Sequence, residues 1–164
     1  MPVPEFIKAL RSKVGHDLLH IPTVLVLIRD DTDRLLLVQD GDDGLWTAPG
    51  GIVDPFELPA NAAVREAWEE AGVQVQLTAL VGVFSGELCY TNYSNGDKVA
   101  WVSTVFAARI VGGTAAPDGQ ETTAAQFFTA EEVAKLSLKR YLPMFLAAAE
   151  SGQPGYFQPA TWQP

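Results

Sequence analysis

The chain has 164 residues, of which 48% are apolar, and its formal net charge is −9. This length and composition are typical of one globular domain, and the single cysteine, Cys89, excludes an internal disulfide framework. The acidic surface argues against a nucleic-acid polymer as partner. Because the sequence has neither a basic, apolar leader nor an apolar run of about 18 residues, we expect a cytoplasmic protein that binds no membrane.

The first predicted element is an amphipathic helix over residues 4–14. Its apolar positions recur at helical spacing, as Phe6, Ile7, Leu10 and Val14. We expect Gly15 to end this helix. A helix of this kind can cap the domain or mediate contacts in a homodimer, and both roles stay open.

Apolar, β-branched runs predict a series of strands after this helix. They lie at residues 23–28, 35–38, 73–84, 99–111 and 125–128. Asn95 and Gly96 form a pair that is typical of a hairpin turn. The acidic loop at residues 40–44 does not match the spacing of a calcium loop, so we expect a solvated turn there. Helices are predicted over residues 59–71, 130–136 and 140–149.

This order of elements divides the chain into three segments. We expect a helical extension over residues 1–20, a single domain over residues 21–150, and a tail over residues 151–164. The tail is rich in proline, glycine and glutamine, and it carries the aromatic residues Tyr156, Phe157 and Trp162. We expect this tail to dock, and the sequence does not identify the surface that it covers.

The helix predicted over residues 59–71 carries an unusual cluster of acids. At about 100° per residue, Glu66, Glu69 and Glu70 fall on one face. The opposite face, which we expect to press on the sheet, holds Ala60, Val64, Ala67 and Ala71. Like charges at these spacings destabilise a helix by about 0.2–0.5 kcal/mol per pair. A hard divalent cation would reverse that effect, whereas a solvated acidic face is the simpler alternative.

The residues around this helix favour the cation. Gly51 is followed after five residues by Glu57, and seven more lead to a run of named positions: Arg65, Glu66, Ala67, Trp68, Glu69, Glu70, Ala71, Gly72 and Val73. This spacing resembles the Nudix box, and every fixed position of the box is filled between residues 51 and 73. The resemblance extends over roughly residues 20–137 and implies an α/β (α+β) fold, in which a mixed β-sheet is sandwiched between helices and the catalytic motif forms a loop–helix–loop.

The resemblance to Nudix hydrolases also implies metal ligands. Glu66, Glu69 and Glu70 are implied to bind Mg²⁺, for which Mn²⁺ is a possible substitute. The backbone carbonyl of Gly50 is implied as a further ligand.

Other roles follow from the same resemblance. Glu57 is implied to pair with Arg65 or to lie near the metal, and Arg65 lies where it can orient Glu69. Glu66 or Glu69 can serve as general base, and so can Glu121 in a later loop. The catalytic set is therefore Glu57, Arg65, Glu66, Glu69 and Glu121. A plain surface ion pair is the alternative for Arg65, and an ordinary exposed loop residue is the alternative for Glu121.

One loop departs from the family pattern. The family often has glycine directly before the first box glutamate, where this chain has Phe56. Glycine accepts a positive φ that phenylalanine resists, so we expect the loop to take a different path and to displace Glu57. We expect Phe56 to pack against apolar neighbours, with contact to substrate as the alternative.

The implied activity is metal-dependent hydrolysis of a diphosphate bond in a nucleoside diphosphate linked to another moiety. ADP-ribose, nucleotide sugars, dinucleoside polyphosphates and nucleoside triphosphates all stay open as substrates. Trp46, Phe56 and Tyr90 are weak candidates for substrate binding, because most aromatic residues in strands belong to the core. Two other activities suit a similar scaffold: a nucleotide sensor without catalysis, and an isoprenoid diphosphate isomerase, for which Cys89 gives weak support.

Overall fold

The structure is a computed structural model that describes residues 3–93, 95–153 and 155–157. The helices of this part are α1 (Glu5–Val14), α2 (Pro59–Ala71), α3 (Ala130–Val133) and α4 (Leu142–Glu150). The strands are β1 (Leu19–Arg29), β2 (Leu35–Asp40), β3 (Trp46–Thr47), β4 (Val73–Phe84), β5 (Tyr90–Asn92), β6 (Lys98–Gly113) and β7 (Thr122–Phe128). None of these helices has the length and apolar character needed to cross a bilayer. Trp162 of the predicted tail lies outside the described residues.

The strands form one mixed sheet. Its order is β3-β2-β1-β6-β4, with β7 beside β2 and β5 beside β6. The central strands β1 and β6 are parallel, and the other pairs are antiparallel. The β1–β6 pairing runs without interruption from Leu19 and Val99 to Arg29 and Arg109.

Successive side chains of β1 alternate between two cores, as the period of two in a strand requires. On one face Val24, Val26 and Ile28 belong to a core with four alanines of α2, which are Ala62, Ala63, Ala67 and Ala71. On the other face Leu25 and Leu27 belong to a core with three residues of α4, which are Leu142, Phe145 and Ala148. The expected mixed sheet between helices is therefore confirmed.

The predicted burial of α2 is partly wrong, although its predicted bounds agree with the structure. Its buried side chains are Ala62, Ala63, Glu66, Ala67 and Ala71. Ala60 and Val64, which we expected against the sheet, are exposed, and Glu66, which we expected on the outer face, is fully buried. Alanine suits either face, so residue type alone does not fix the rotation of this helix. The rotation matters because it places one box carboxylate beneath the helix.

Short elements escape prediction from the sequence. Strands β3 and β5 have two and three residues, which is too few to show a periodic pattern.

The expected docking of the tail is present at the edge of the sheet. Tyr156 forms a parallel bridge with Gly82 of β4, and its ring stacks on Phe84 with 5.7 Å between centroids.

Candidate active site

Arg65 of α2 joins three acidic side chains. It forms a bidentate pair with Glu57, with 3.0 Å from Nε to Oε1 and 2.9 Å from Nη2 to Oε2. Nη1 donates to Glu66 Oε1 at 2.8 Å and to Glu69 Oε2 at 2.9 Å, and Nη2 donates to the carbonyl of Ile52 at 3.1 Å. These bonds use all the N–H donors of a guanidinium group. Hydrogen bonding to Glu57 is the main reason that the pKa of Arg65 is raised.

The loop before Glu57 keeps the positive φ that we expected phenylalanine to avoid. Phe56 has a φ of 70°. Its side chain is fully exposed, so the predicted apolar packing is also wrong. The turn is fixed by two bonds between Asp54 and Glu57: Glu57 N–H donates to Asp54 O at 3.0 Å, and Asp54 N–H donates to Glu57 Oε2 at 3.1 Å. Together with the Arg65 pair, these bonds outweigh the local strain at Phe56.

Glu66 of α2 is fully buried beside the loop at Gly51. Its Oε1 accepts a bond from Arg65, while its Oε2 is buried and has no hydrogen-bond partner among the described residues. Burial raises the pKa of Glu66 to about 7, despite the opposing effect of Arg65. A buried acceptor without a partner costs about 1–3 kcal/mol. This oxygen is therefore costly to the fold unless something else binds it.

Two glycines let the loop before α2 approach its neighbours closely. A Cβ at Gly51 would lie 2.4 Å from Glu66 Oε1, and a Cβ at Gly50 would lie 2.3 Å from the carbonyl oxygen of Val24. The loop is bonded to β1 on both sides of Gly50. Val24 N–H donates to Gly51 O at 2.9 Å, and Val26 N–H donates to Pro49 O at 2.8 Å. Glycine is required at position 50, where a Cβ would meet the backbone of β1, whereas a Cβ at position 51 would displace the carboxylate of Glu66.

Glu70 lies next to Gly50 and is held by a different donor from its neighbours. The Gly50 N–H donates to Glu70 Oε2 at 2.9 Å. Burial and the charge of Glu66 together raise the pKa of Glu70 to about 8, against the opposing effect of the Gly50 N–H bond. Glu69, by contrast, has a side chain that is 48% exposed. The three glutamates therefore differ strongly in exposure to solvent, with Glu66 fully buried and Glu69 half-exposed.

Two adjoining cavities flank α2, and Gln120 and Glu121 line both of them. The first has a volume of about 380 Å³, and its other lining residues are Val38, Asp40, Asp42, Thr47, Glu70 and Thr122. The second has a volume of about 610 Å³, and its other lining residues are Pro4, Glu5, Phe6, Asp54, Arg65, Glu69 and Asp118. Volumes of this size suit a small-molecule ligand.

Asp118 organises the loop that carries Glu121. Its Oδ1 accepts the N–H of Glu121 at 3.0 Å and the N–H of Thr122 at 2.8 Å. Two further bonds tie the loop to its surroundings. Gly41 N–H donates to Glu121 O at 2.7 Å, and Thr122 Oγ1 donates to the carbonyl of Glu70 at 2.9 Å. Glu121 is thereby fixed between the two cavities.

The implied metal ligands are neighbours but are bonded to different donors. Glu66 and Glu69 face Arg65, and Glu70 faces the N–H of Gly50. Across the described part of the chain, no three Asp, Glu, His or Cys side chains are grouped as ligands of one ion. The residues nevertheless fit a hard divalent cation in their chemistry. They supply carboxylate oxygens that are costly to bury, one of them without a partner in the described residues.

The three weak substrate candidates lie outside both cavity linings. Trp46 packs edge-on against Phe128, with 4.8 Å between ring centroids. Tyr90 belongs to β5, where its carbonyl accepts a bond from Arg140. Phe56 extends into solvent.

Other lining residues have no spacing that links them to the box. Phe6, Thr47 and Thr122 come from α1, β3 and β7, and only the fold brings them to the cavities. The expected solvated turn at residues 40–44 is confirmed, because residues 41–44 are exposed. Asp40 lines the first cavity and pairs with Lys139 at 2.9 Å.

Comparison with known proteins agrees with the box. The family model of the NUDIX domain matches residues 19–147. A MutT-like protein from Streptomyces ambofaciens is 33% identical over 129 residues, which make up 79% of this chain and 76% of that protein. For other curated relatives the match covers a smaller share of their length, 58% for one from Bacillus subtilis (strain 168) and 33% for one from Mus musculus.

Solved structures share the fold. A NUDIX hydrolase from Nitrosomonas europaea superposes with a TM-score of 0.69 and 23% identity, over 84% of this chain and 93% of that chain. An ADP-ribose pyrophosphatase from Streptococcus suis 89-1591 superposes with a TM-score of 0.61 and 26% identity, over 84% of this chain and 96% of that chain. Since the family model spans most of the chain and the relative from Streptomyces is 33% identical over 79% of it, this protein belongs to the Nudix hydrolases, a family of pyrophosphohydrolases.

Proposed function

We propose that this protein hydrolyses a diphosphate bond in a nucleoside diphosphate linked to another moiety, with Mg²⁺ as its cofactor. The buried Glu66 Oε2, which has no hydrogen-bond partner among the described residues, carries the proposal. Membership of the Nudix hydrolases supports hydrolysis of a diphosphate. The similarity to an ADP-ribose pyrophosphatase supports a nucleotide-linked substrate.

The box residues are the proposed cation ligands. Glu66, Glu69 and Glu70 would hold the ion, with the carbonyl of Gly50 as a further ligand. When bound, the ion supplies positive charge that neutralises diphosphate oxygens and acidifies water. Arg65 orients Glu66 and Glu69, so these carboxylates are positioned before a substrate arrives. Mn²⁺ accepts the same oxygen ligands, and we expect it to substitute.

Glu121 is the proposed general base. It lines both cavities, one shared with Glu70 and the other with Glu69. A carboxylate there can accept a proton from the attacking water, and Asp118 fixes the loop that carries it. Glu66 and Glu69 remain the alternatives. A Glu121→Gln variant that keeps the turnover of the parent protein would exclude Glu121 from this role.

A panel of diphosphate compounds tests the proposal. ADP-ribose, a nucleotide sugar, a dinucleoside polyphosphate and a nucleoside triphosphate are incubated with Mg²⁺ or Mn²⁺, and the products are identified. We expect release of nucleoside monophosphate or phosphate. Tight binding without product would indicate a sensor, and isomerisation of an isoprenoid diphosphate would overturn hydrolysis. Cys89 is fully buried and lies outside both cavity linings, which disfavours a proton donor for that isomerisation.

The cytoplasmic location, the possible homodimer and the boundaries of the three segments stay predictions. Size measurement in solution tests the homodimer.

A further inference from the structure

We propose that Phe6 of α1 stacks on the nucleobase of the substrate. This inference rests on the proposed function and deepens it, because it names the group that binds the end of the substrate remote from the diphosphate.

The second cavity has two chemically different sides. Arg65 and Glu69 belong to the box helix and lie at the proposed cation site. The first turn of α1 forms another part of the wall, where Phe6 is an apolar aromatic group among polar and acidic neighbours. A cavity of about 610 Å³ has room for a nucleoside beside a diphosphate. A substrate with its phosphates at the carboxylates would therefore have its base within reach of α1.

The orientation of Phe6 is fixed by its own helix. Ile7, the next residue, is buried with 6% of its surface exposed, while Phe6 is only partly buried. Burial of Ile7 prevents rotation of α1 about its axis, so the ring of Phe6 stays at the cavity wall. A ring held in this way loses little conformational freedom when a base stacks on it.

The far end of α1 is fastened to the sheet. Arg11 Nη2 donates to the carbonyl of Lys98 at 2.9 Å, and Arg11 Nε lies 3.4 Å from Asp97 Oδ1. His16 Nδ1 lies 2.8 Å from the same oxygen of Asp97. These contacts attach α1 to the start of β6, so the helix is part of the cavity wall as well as a cap on the domain.

Among the described residues that line the two cavities, the one aromatic residue is Phe6, which lines the second cavity. Trp46 and Tyr90 lie elsewhere, as their contacts with Phe128 and Arg140 show. An aromatic ring also suits these acidic surroundings, because stacking on a nucleobase requires no positive charge and is possible with any base. If Phe6 stacks on the base, we therefore expect the protein to accept substrates with different nucleobases.

Steady-state kinetics with Phe6→Ala and Phe6→Tyr test the contact. The substrate is the best nucleotide of the panel, compared with an abasic analogue in which hydrogen replaces the base. For the nucleotide, we expect Phe6→Ala to raise KM by about 10-fold to 100-fold with little change in kcat, whereas Phe6→Tyr stays within about twofold. The abasic analogue should be hydrolysed equally by the parent protein and by Phe6→Ala.

Leu10→Ala is the matched control, because Leu10 lies on α1, is 39% exposed and is not part of the cavity lining. An unchanged KM in Phe6→Ala, or an equal loss with both compounds, would overturn the stacking contact. If the parent protein turns over no compound of the panel, the proposed function fails. The contact is then judged by calorimetry with adenosine diphosphate, where equal affinity of the parent protein and Phe6→Ala overturns it.

Discussion

The carboxylate of Glu70 combines two properties that matter for catalysis at the level of the residue. It is held by a single backbone donor, the N–H of Gly50, and its pKa is raised to about 8 by burial. A folded-state pKa above the ordinary value means that the charged form destabilises the fold as the pH rises from about 4.5 towards 8. The charged side chain of Glu70 therefore lowers the stability of the fold, and the proposed cation would offset that loss.

Replacing Glu70 by glutamine separates these effects. We expect Glu70→Gln to lower turnover by at least about 100-fold, because a neutral amide is a poor ligand for a hard cation. In the absence of divalent ions, the variant should unfold at an equal or higher temperature at pH 8, because the amide can still accept the bond from Gly50 and carries no buried charge. Turnover with Mg²⁺ and thermal unfolding without it are the measurements.

Glu131→Gln is the matched control for that prediction, since Glu131 is exposed on α3, and neither quantity should change. Near-parental turnover in Glu70→Gln would remove this residue from the set of cation ligands.

Phe56 destabilises the fold in a different way, through its backbone conformation. Its φ of 70° is unfavourable for any residue with a side chain, by about 1–2 kcal/mol, and its exposed ring gives no packing in return. Glycine at this position removes the strain but also increases the entropy of the unfolded chain, by about 0.4–1 kcal/mol. We expect Phe56→Gly to raise the free energy of unfolding in urea by about 0.5–1 kcal/mol. Phe56→Ala keeps the strain and should give no such gain, so equal effects of the two variants would contradict this explanation.

Among the elements, the hairpin between β1 and β2 depends on one carboxylate. Asp30 Oδ1 accepts the N–H groups of Thr32 and Arg34, both at 2.9 Å, and Oδ2 accepts Arg34 Nε at 2.8 Å. Burial alone would raise the pKa of Asp30, but these hydrogen bonds outweigh it and lower the pKa to about 2. The charged form therefore stabilises the fold above pH 3.8, and the contribution is lost as the pH falls from about 4 towards 2.

Removing that charge should have a pH-dependent effect. We expect Asp30→Asn to lower the free energy of unfolding by about 1–2 kcal/mol at pH 7, and the difference from the parent protein should shrink at pH 3. Urea denaturation at the two pH values measures it. Asp31→Asn serves as control, because Asp31 is exposed in the same hairpin. A difference that stays constant between pH 7 and pH 3 would contradict the role assigned to the carboxylate.

The elements show which features a sequence can predict. The bounds of α2 are marked in the chain by Pro59 in the first turn and Gly72 at the left-handed end, so they follow from local chemistry. Its buried face does not follow, because alanines occur on both sides and only the sheet selects among them. The burial of Glu66 depends on Gly51 and Arg65 together, and their contact with it is visible only after the loop has folded back.

The functional site also has a part that the sequence predicts and a part that it does not. The Nudix box lies within residues 51–73, and the resemblance to it predicts the contacts of Arg65 with Glu57 and Glu69 but not its contact with Glu66. The walls of the cavities come from distant elements. Phe6 and Thr47 reach them through the packing of α1 and the pairing of β3, for which the sequence has no local signal.

At the scale of the whole molecule, the tail covers one edge of the sheet. Tyr156 N–H donates to the carbonyl of Val81 at 2.8 Å, and the ring of Tyr156 stacks on the buried Phe84. An uncovered edge strand can pair with another chain, so the bridge to β4 also blocks association. We expect Tyr156→Ala to lower the free energy of unfolding by about 1–3 kcal/mol, as measured in urea.

Phe157→Ala is the control for the tail, because Phe157 is 76% exposed and should contribute almost nothing. Equal losses in the two variants would show that the tail contributes only nonspecific apolar contact.

The parallel pairing of β1 with β6 has a consequence for synthesis on the ribosome. β1 ends at Arg29, whereas its partner begins at Lys98, so residues 30–97 are synthesised before the partner strand begins to emerge. During that time β1 lacks the central strand that later pairs with its edge. Its apolar side chains, which lie on both faces, are without that neighbour. Closing so long a loop is slow, and the domain completes its central pairing only after β6 has emerged.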